Sequence, residues 1–445
     1  MNQEPQVPLR GFAALRAKRT TLAYRALVLF SAIYFLRPED FIPGLVMVPI
    51  GKIAGGVTLL ALIFGTKPKE RGKLPIECKL LLVLLVHMIL TIPLAYWRGG
   101  AFDTVVNKFS KGVIVALLIT LVVTQVNQLR KLLYIQSAAV AFIAVVSILV
   151  HHTEEGRLMG IQKGILENPN DLAINIAINF PLCMAFLFAA KGGLRKFLWT
   201  VGLLGMLYAV VATYSRSGMI AMVITGAICL WEFGVRGKRT LLLMSTAIIG
   251  VFAVVIMLAT PHYLIRLESL VRGNIEGSGD KGSMEARSEL LRESLKLMVH
   301  HPIFGVGPGN FGVITEEWRV AHNTYTELGA ETGFPGLILF CAVLVSAVRR
   351  VRSVRKLPGY ATNEHIRLWT SALWAALAAY LAGAVFASTE YNLFPYFMVG
   401  YICALYQIAS KPADENSTGG GNTSGGGTKE LGYGGNKERE LVWSR

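Results

Sequence analysis

Charge is scarce in this sequence. Only 16% of its 445 residues are Asp, Glu, Lys or Arg, against about 25% in a soluble domain, and that shortfall excludes a water-soluble globular chain of this length. Acids are the scarcer sign, 28 against 44 Lys and Arg, which leaves a net charge of +16. No DNA- or RNA-binding motif accompanies the excess, so nucleic acid is not expected as a partner. Cysteine is sparse too. Cys78, Cys183, Cys229, Cys341 and Cys403 lie in or beside apolar runs and form no CxxC pair, which argues against a disulfide framework and a zinc site. DxD, HExxH, GxSxG and Walker signatures are all missing. The chain is therefore expected to work with no metal, no cofactor and no covalent serine. A cleavage site is missing as well. The apolar run behind Arg10, Arg16, Lys18 and Arg19 contains Arg25 and reads as an uncleaved first membrane helix.

What is abundant is apolar residue, 53% of the chain, gathered in long runs. Runs of about 18–20 such residues span a bilayer as helices. The hydropathy pattern predicts an all-α, polytopic membrane protein of about twelve spans: 21–36, 42–64, 78–96, 110–126, 132–150, 171–190, 197–214, 217–233, 240–260, 325–348, 367–387 and 394–410. The second contains Pro43, Pro49 and Lys52 and reads as a broken helix. Alternate loops are strongly basic, among them Lys67-Pro-Lys-Glu-Arg-Gly-Lys73 and the stretch from Arg349 to Lys356. The positive-inside rule makes that set cytoplasmic. Both termini then fall inside, with a cytoplasmic N-terminus at 1–20, spans one to nine within 21–260, a large partly helical periplasmic loop at 261–323, and three spans within 324–410. The Gly- and Ser-rich stretch 411–445 is expected to be a disordered cytoplasmic tail.

Polar residues gather on the outer side. Arg216 sits in Tyr214-Ser-Arg-Ser-Gly218, a tight turn with Ser215 and Ser217 beside it. An arginine there is either an interfacial anchor or a ligand for an anion such as phosphate, which its planar fork grips with two parallel hydrogen bonds. Arg287 opens an amphipathic helix over 284–299 and pairs either with Glu285 or Glu289 or with a ligand. His322 precedes Asn323 where the chain returns to the membrane; it is either structural or a general base, since imidazole titrates near pH 6.5. Asp171, Asn175 and Asn179 share one helix face; the plainer reading is an N-cap at Asn170 or Asp171, but asparagines two turns into a membrane helix need polar partners, so the face is expected to line a cavity. His87, inside the third span, is read as structural. Arg37 is read as pairing with Glu39 or Asp40.

Four motifs in order, Glu167-Asn-Pro-Asn-Asp-Leu-Ala173, Tyr214-Ser-Arg-Ser-Gly-Met219, Arg287 with Pro302-Ile-Phe-Gly-Val-Gly-Pro-Gly-Asn-Phe311, and Ala321-His-Asn-Thr-Tyr-Thr-Glu-Leu-Gly-Ala-Glu-Thr-Gly-Phe-Pro-Gly336, resemble the O-antigen ligase family over about residues 160–340. The resemblance implies a metal-independent inverting glycosyltransferase of the bacterial inner membrane, working on its periplasmic face. Its donor would be an undecaprenyl-pyrophosphate-linked glycan, and its acceptor a lipid A-core, a growing glycan or a protein hydroxyl. Membrane lipids would surround it. Carried onto this chain, Arg216 and Arg287 would bind the pyrophosphate and His322 would be the catalytic base. Glu167, Asn168, Asn170, Ser215, Ser217 and Asn323 would contact substrate. A polymerase or a protein O-oligosaccharyltransferase shares these features. A polytopic lipid or solute transporter would share only the spans and the cavity-lining arginines.

Overall fold

The computed structural model describes residues 10–38, 50–65, 74–150, 153–154, 156–160, 168–239, 279–315 and 319–411. Within these the chain is almost entirely helical: α1 (Arg10–Leu36), α2 (Ile50–Gly65), α3 (Ile76–Thr91), α4 (Arg98–Val122), α5 (Val126–Val150), α6 (Pro169–Ala189), α7 (Gly193–Ala212), α8 (Arg216–Val235), α9 (Gly279–His300), α10 (Thr324–Ser353), α11 (Glu364–Gly383) and α12 (Phe394–Ala409). A two-residue antiparallel pair, β1 (Thr153–Glu154) with β2 (Arg157–Leu158), is the exception to the all-α expectation.

Among the described residues, seven helices are long and apolar enough to cross a membrane: α3 with its 3₁₀ extension to Leu94, α4, α5, α6, α7, α8, and α10 extended to Lys356. They match seven of the expected spans. Leu22–Leu36, Ile50–Phe64 and Phe394–Ala409 are shorter apolar helices, and α11 is a 20-residue helix at an expected span. The expected span 240–260, positions 42–49 of the second, and the basic loop 67–73 lie outside the described residues, as do 261–278 of the long loop and the tail beyond Lys411.

α4 corrects the sequence reading most. It begins at Arg98, not 110, and passes through a π-helical stretch at Thr104–Phe109. The polar residues of 98–109 hide it from a hydropathy reading. Tertiary contact holds it instead: Phe109 meets the Tyr396 ring edge-on at 5.6 Å.

α12 is buried along almost its whole length. It packs on α4, α10 and α11, while α6 packs on α7, α8 and α11. Small residues permit these close crossings, as is usual where lipid supplies no hydrophobic drive between helices. Gly400 of α12 lies against Ile119 and the Ala116 carbonyl of α4.

The two ends of the bundle differ. At one, Glu77 receives Arg350 at 2.7 Å and Glu232 receives Arg355 at 2.7 Å and Ser371 at 3.0 Å. Arg350 also lies over the Tyr406 ring. These arginines belong to the basic stretch 349–356. The opposite end carries the N-termini of α6, α8 and α10 and with them the polar motifs.

α10 is broken near that end. Gly333 has φ 71° and ψ −177°, and Pro335 lacks an N–H and crowds the carbonyl of residue 331. Freed carbonyls at membrane depth must find partners. The Gly/Pro turn 302–311 supplies them: Val306 N–H donates to Ala330 O and Gly307 N–H to Glu331 O, both at 2.9 Å. In return Phe334 N–H donates to Pro302 O at 2.8 Å. His87 of α3 faces Thr332 O through Nε2 at 2.8 Å, which is the structural role expected of it. A methyl group at Gly333 would sit 2.6 Å from the Ile303 carbonyl, on a left-handed φ. Gly333→Ala is accordingly expected to cost about 1–3 kcal/mol, read as a lowered Tm in detergent; unchanged melting would mean the break relaxes freely.

Candidate active site

The first cluster forms where α6 and α8 begin. Tyr214 adopts φ 49°, which turns the chain sharply out of α7. Ser215 then caps α8, its Oγ accepting from Gly218 N–H at 3.1 Å. The same hydroxyl donates to Asn170 Oδ1 at 2.8 Å and lies 3.1 Å from Ser217 Oγ. Arg216 is the first residue of α8 and half-buried. A helix N-terminus with an arginine on it offers both backbone N–H groups and a guanidinium to an anion.

The sequence reading did not single out Arg157. Its guanidinium joins this cluster, donating through Nε to Thr213 O at 3.0 Å and through Nη2 to Asn170 Oδ1 at 3.1 Å. It thereby ties the β-pair to the Ser215 turn. Asn170, Ser215, Ser217 and Arg216 are thus brought together. The cap of α6 is Asn168, whose side chain accepts from Asn170 N–H at 2.8 Å; the expected cap at Asn170 or Asp171 lies two or three residues too late. Glu167 lies outside the described residues.

Asn175 and Asn179 do not line an open cavity. Both are buried, and Asn179 Oδ1 accepts from Gln136 of α5 at 2.8 Å. Their own Nδ2 groups donate back to Asp171 O and Asn175 O. The shared face is as expected, but a neighbouring helix closes it.

The second cluster forms where α10 begins. His322 takes φ 53°, a backbone state that non-glycine residues rarely hold and that tends to mark functional sites. It is fixed from both sides. Asn323 caps α10, accepting from Tyr325 and Thr326 N–H at 3.0 and 3.1 Å. Upstream, Ala321 N–H donates to Glu327 Oε2 at 2.8 Å, and Ser388 Oγ donates to the same oxygen. Glu327 is therefore a positioning residue for the histidine turn. Glu331, one turn on, accepts from Phe311 N–H at 3.0 Å and from the Tyr391 hydroxyl, anchoring the glycine turn. Glu390 completes a buried acidic group; burial first, then Glu327 and Glu331, hold its carboxyl far above the usual carboxylate range.

His322 is partly buried. Burial, and after it the charge of Arg287, push its pKa below 6.5. That coupling puts the α9 arginine and the histidine in one electrostatic neighbourhood. The Arg287 side chain is half-buried, while Glu289 is exposed. Arg37 also has a positive φ, 47°, but its expected partners Glu39 and Asp40 lie outside the described residues.

The end of α11 links the clusters. Gly383 packs on Ile174, one helical turn from Asn170. The next residue, Ala384, accepts from Thr324 N–H at 2.9 Å, two residues from His322. The Arg216 turn and the His322 turn therefore occupy the same end of the bundle, against one helix end. Among the described residues no three His, Cys, Asp or Glu side chains are grouped as metal ligands would be.

Comparison with curated proteins returns no match. A family model described as O-antigen ligase matches residues 201–341, about a third of the chain and a stretch that takes in Arg216, Arg287 and His322, so this part of the chain is similar to an O-antigen ligase domain.

Proposed function

We propose that this protein is a metal-independent inverting glycosyltransferase that moves a glycan from undecaprenyl pyrophosphate to an acceptor, a lipid A-core or similar, on the periplasmic face of the bacterial inner membrane. In this reading the chain has twelve spans, both termini are cytoplasmic, and the basic end with Arg350 and Arg355 faces the cytosol. The observation that carries it is the grouping of a cationic helix start, Arg216 on α8, with a basic histidine turn, His322 beside Arg287, at one end of the bundle.

Arg216 and Arg287 grip the donor diphosphate and offset the charge that builds on it as the glycosidic C–O bond breaks. The acceptor oxygen attacks the anomeric carbon from the opposite face, and His322 takes its proton. Undecaprenyl pyrophosphate leaves as an anion, so no strong general acid is needed. Ser215, Ser217, Asn170 and Glu167 orient sugar hydroxyls. Asn168 and Asn323 spend their side-chain oxygens on helix caps, which leaves their amide NH₂ groups to donate.

The direct test is purified protein mixed with a polyprenyl-pyrophosphate glycan and a lipid A-core acceptor. Donor consumption with release of polyprenyl pyrophosphate is expected. Donor that crosses a proteoliposome bilayer unconsumed would instead mean a transporter.

A pH profile tests the base. With its pKa held below 6.5, His322 is neutral and competent at pH 7. The acid limb of the activity profile is therefore expected to lie at lower pH than an unperturbed histidine base would give. Arg287→Gln removes a charge that disfavours the imidazolium, so the residual activity should drop at a higher pH than in the parent. An acid limb that does not move with Arg287 would separate the two residues.

A further inference from the structure

α9 presents three different rows along its second half. Leu290, Ser294 and Met298 are buried, with Leu290 packed against Phe311, Ala321 and Ala330 and Met298 against Gly329 of α10. The next row, Leu291, Leu295 and Val299, is exposed, Val299 at 65%, and runs on into exposed Ile303 and Phe304. The row after that is Arg292, Lys296 and His300, all exposed. A helix floating in water would have no reason to set an open apolar row beside an open basic one. That pattern is the one that lies at a bilayer surface, with the apolar row among acyl chains and the basic row among headgroups.

The depth of the helix points the same way. The Phe304 ring stacks on His87, with centroids 6.2 Å apart and planes 11° apart. His87 lies seven residues before Leu94, the end of its span, so Phe304 sits about 10 Å inside that end at 1.5 Å per residue. Exposed Leu90, Leu94 and Ile338 of the spanning helices occupy the same end of the bundle. The C-terminal tip of α9 therefore stands beside lipid-facing surface, and its apolar row continues that surface outward.

We propose that α9 is a bilayer-contacting helix: the row Leu291, Leu295, Val299, Ile303 and Phe304 is covered by acyl chains of the leaflet at the site end, and Arg292, Lys296 and His300 hold anionic phospholipid headgroups. This contact sets the depth at which α9 carries Arg287. The surface does not depend on the glycosyltransfer reading, because its test uses no substrate.

The test uses full-length protein in nanodiscs of mixed zwitterionic and anionic phospholipid, with Cys341→Ser to remove the half-exposed thiol. An environment-sensitive fluorophore is placed by Leu295→Cys and, separately, by Glu289→Cys. Position 295 is expected to be quenched by doxyl-labelled lipid at least about threefold more than position 289, and to be shielded from iodide. Equal iodide quenching at both would place α9 in water. Shielding at 295 from both quenchers would mean that protein, a second copy or another chain, covers the row. Either result overturns the proposal. Separately, the double variant Arg292→Gln, Lys296→Gln should retain no more than about half the anionic lipid that co-purifies with the parent, at unchanged size-exclusion profile. Unchanged retention overturns the headgroup assignment.

Discussion

His322→Ala is expected to lose about 10²–10⁴-fold in kcat, the range for removing a general base, while donor binding persists. Binding should persist because the proposed diphosphate grip comes from Arg216 and Arg287, on other segments of the chain. The loss should be deep because the structure commits so much to this one imidazole. Its backbone is held at φ 53° by the Asn323 cap on one side and the Glu327 hold on Ala321 on the other. Burial and Arg287 keep the ring in the proton-accepting form. Alanine tolerates a left-handed φ poorly, so His322→Asn is the companion variant, since asparagine adopts that conformation more readily. Single-turnover release of undecaprenyl pyrophosphate separates the chemical step from binding. Turnover by either variant at the parent rate would remove His322 from the mechanism.

Arg216→Lys is expected to lose about 10²–10³-fold in kcat/KM, comparable to removing a fixed donor to a transition-state anion. Lysine keeps the charge and would serve equally well as an interfacial anchor. It cannot reproduce a planar fork aimed at two phosphate oxygens. The substitution therefore separates the two readings of this arginine. The turn around it is preset by the Ser215 cap and by Asn170, which Arg157 holds, so a lysine would inherit the position without the geometry. A Lys variant as active as the parent would return residue 216 to the role of anchor.

The helical fold was largely legible because apolar runs of spanning length are a composition signal that needs no tertiary knowledge. Seven of the expected spans are helices of that kind. The start of α4 was not legible, because Gly99, Gly100, Asp103 and Asn107 look like loop until the neighbours that hold them are known. The polar face of α6 was legible as a face. Its closure was not, since Gln136 lies 43 residues away in sequence. At the site, the motifs around Arg216 and His322 stood out, because a cation in a tight turn and a histidine before a helix each carry local chemistry. Arg157 did not, since its partners Thr213 and Asn170 come from other segments. A signal for Glu327 and Glu331 was present: two like charges at i,i+4 on an apolar helix repel unless each has its own donors. They do, in Ala321, Ser388, Phe311 and Tyr391.

The break in α10 makes the glycine turn and the histidine turn one mechanical piece, joined through Glu331 and the carbonyls at 330 and 331. A genetic screen for lost function would then flag Gly305, Gly307 and Gly309 as though they touched sugar, although their work is to let the turn approach its neighbours closely. Ala95 and Thr104 lie against Gly307 and Gly309. Compensating second-site changes should surface at those two positions, in the Ala95 connection and in α4, which carry none of the reacting groups.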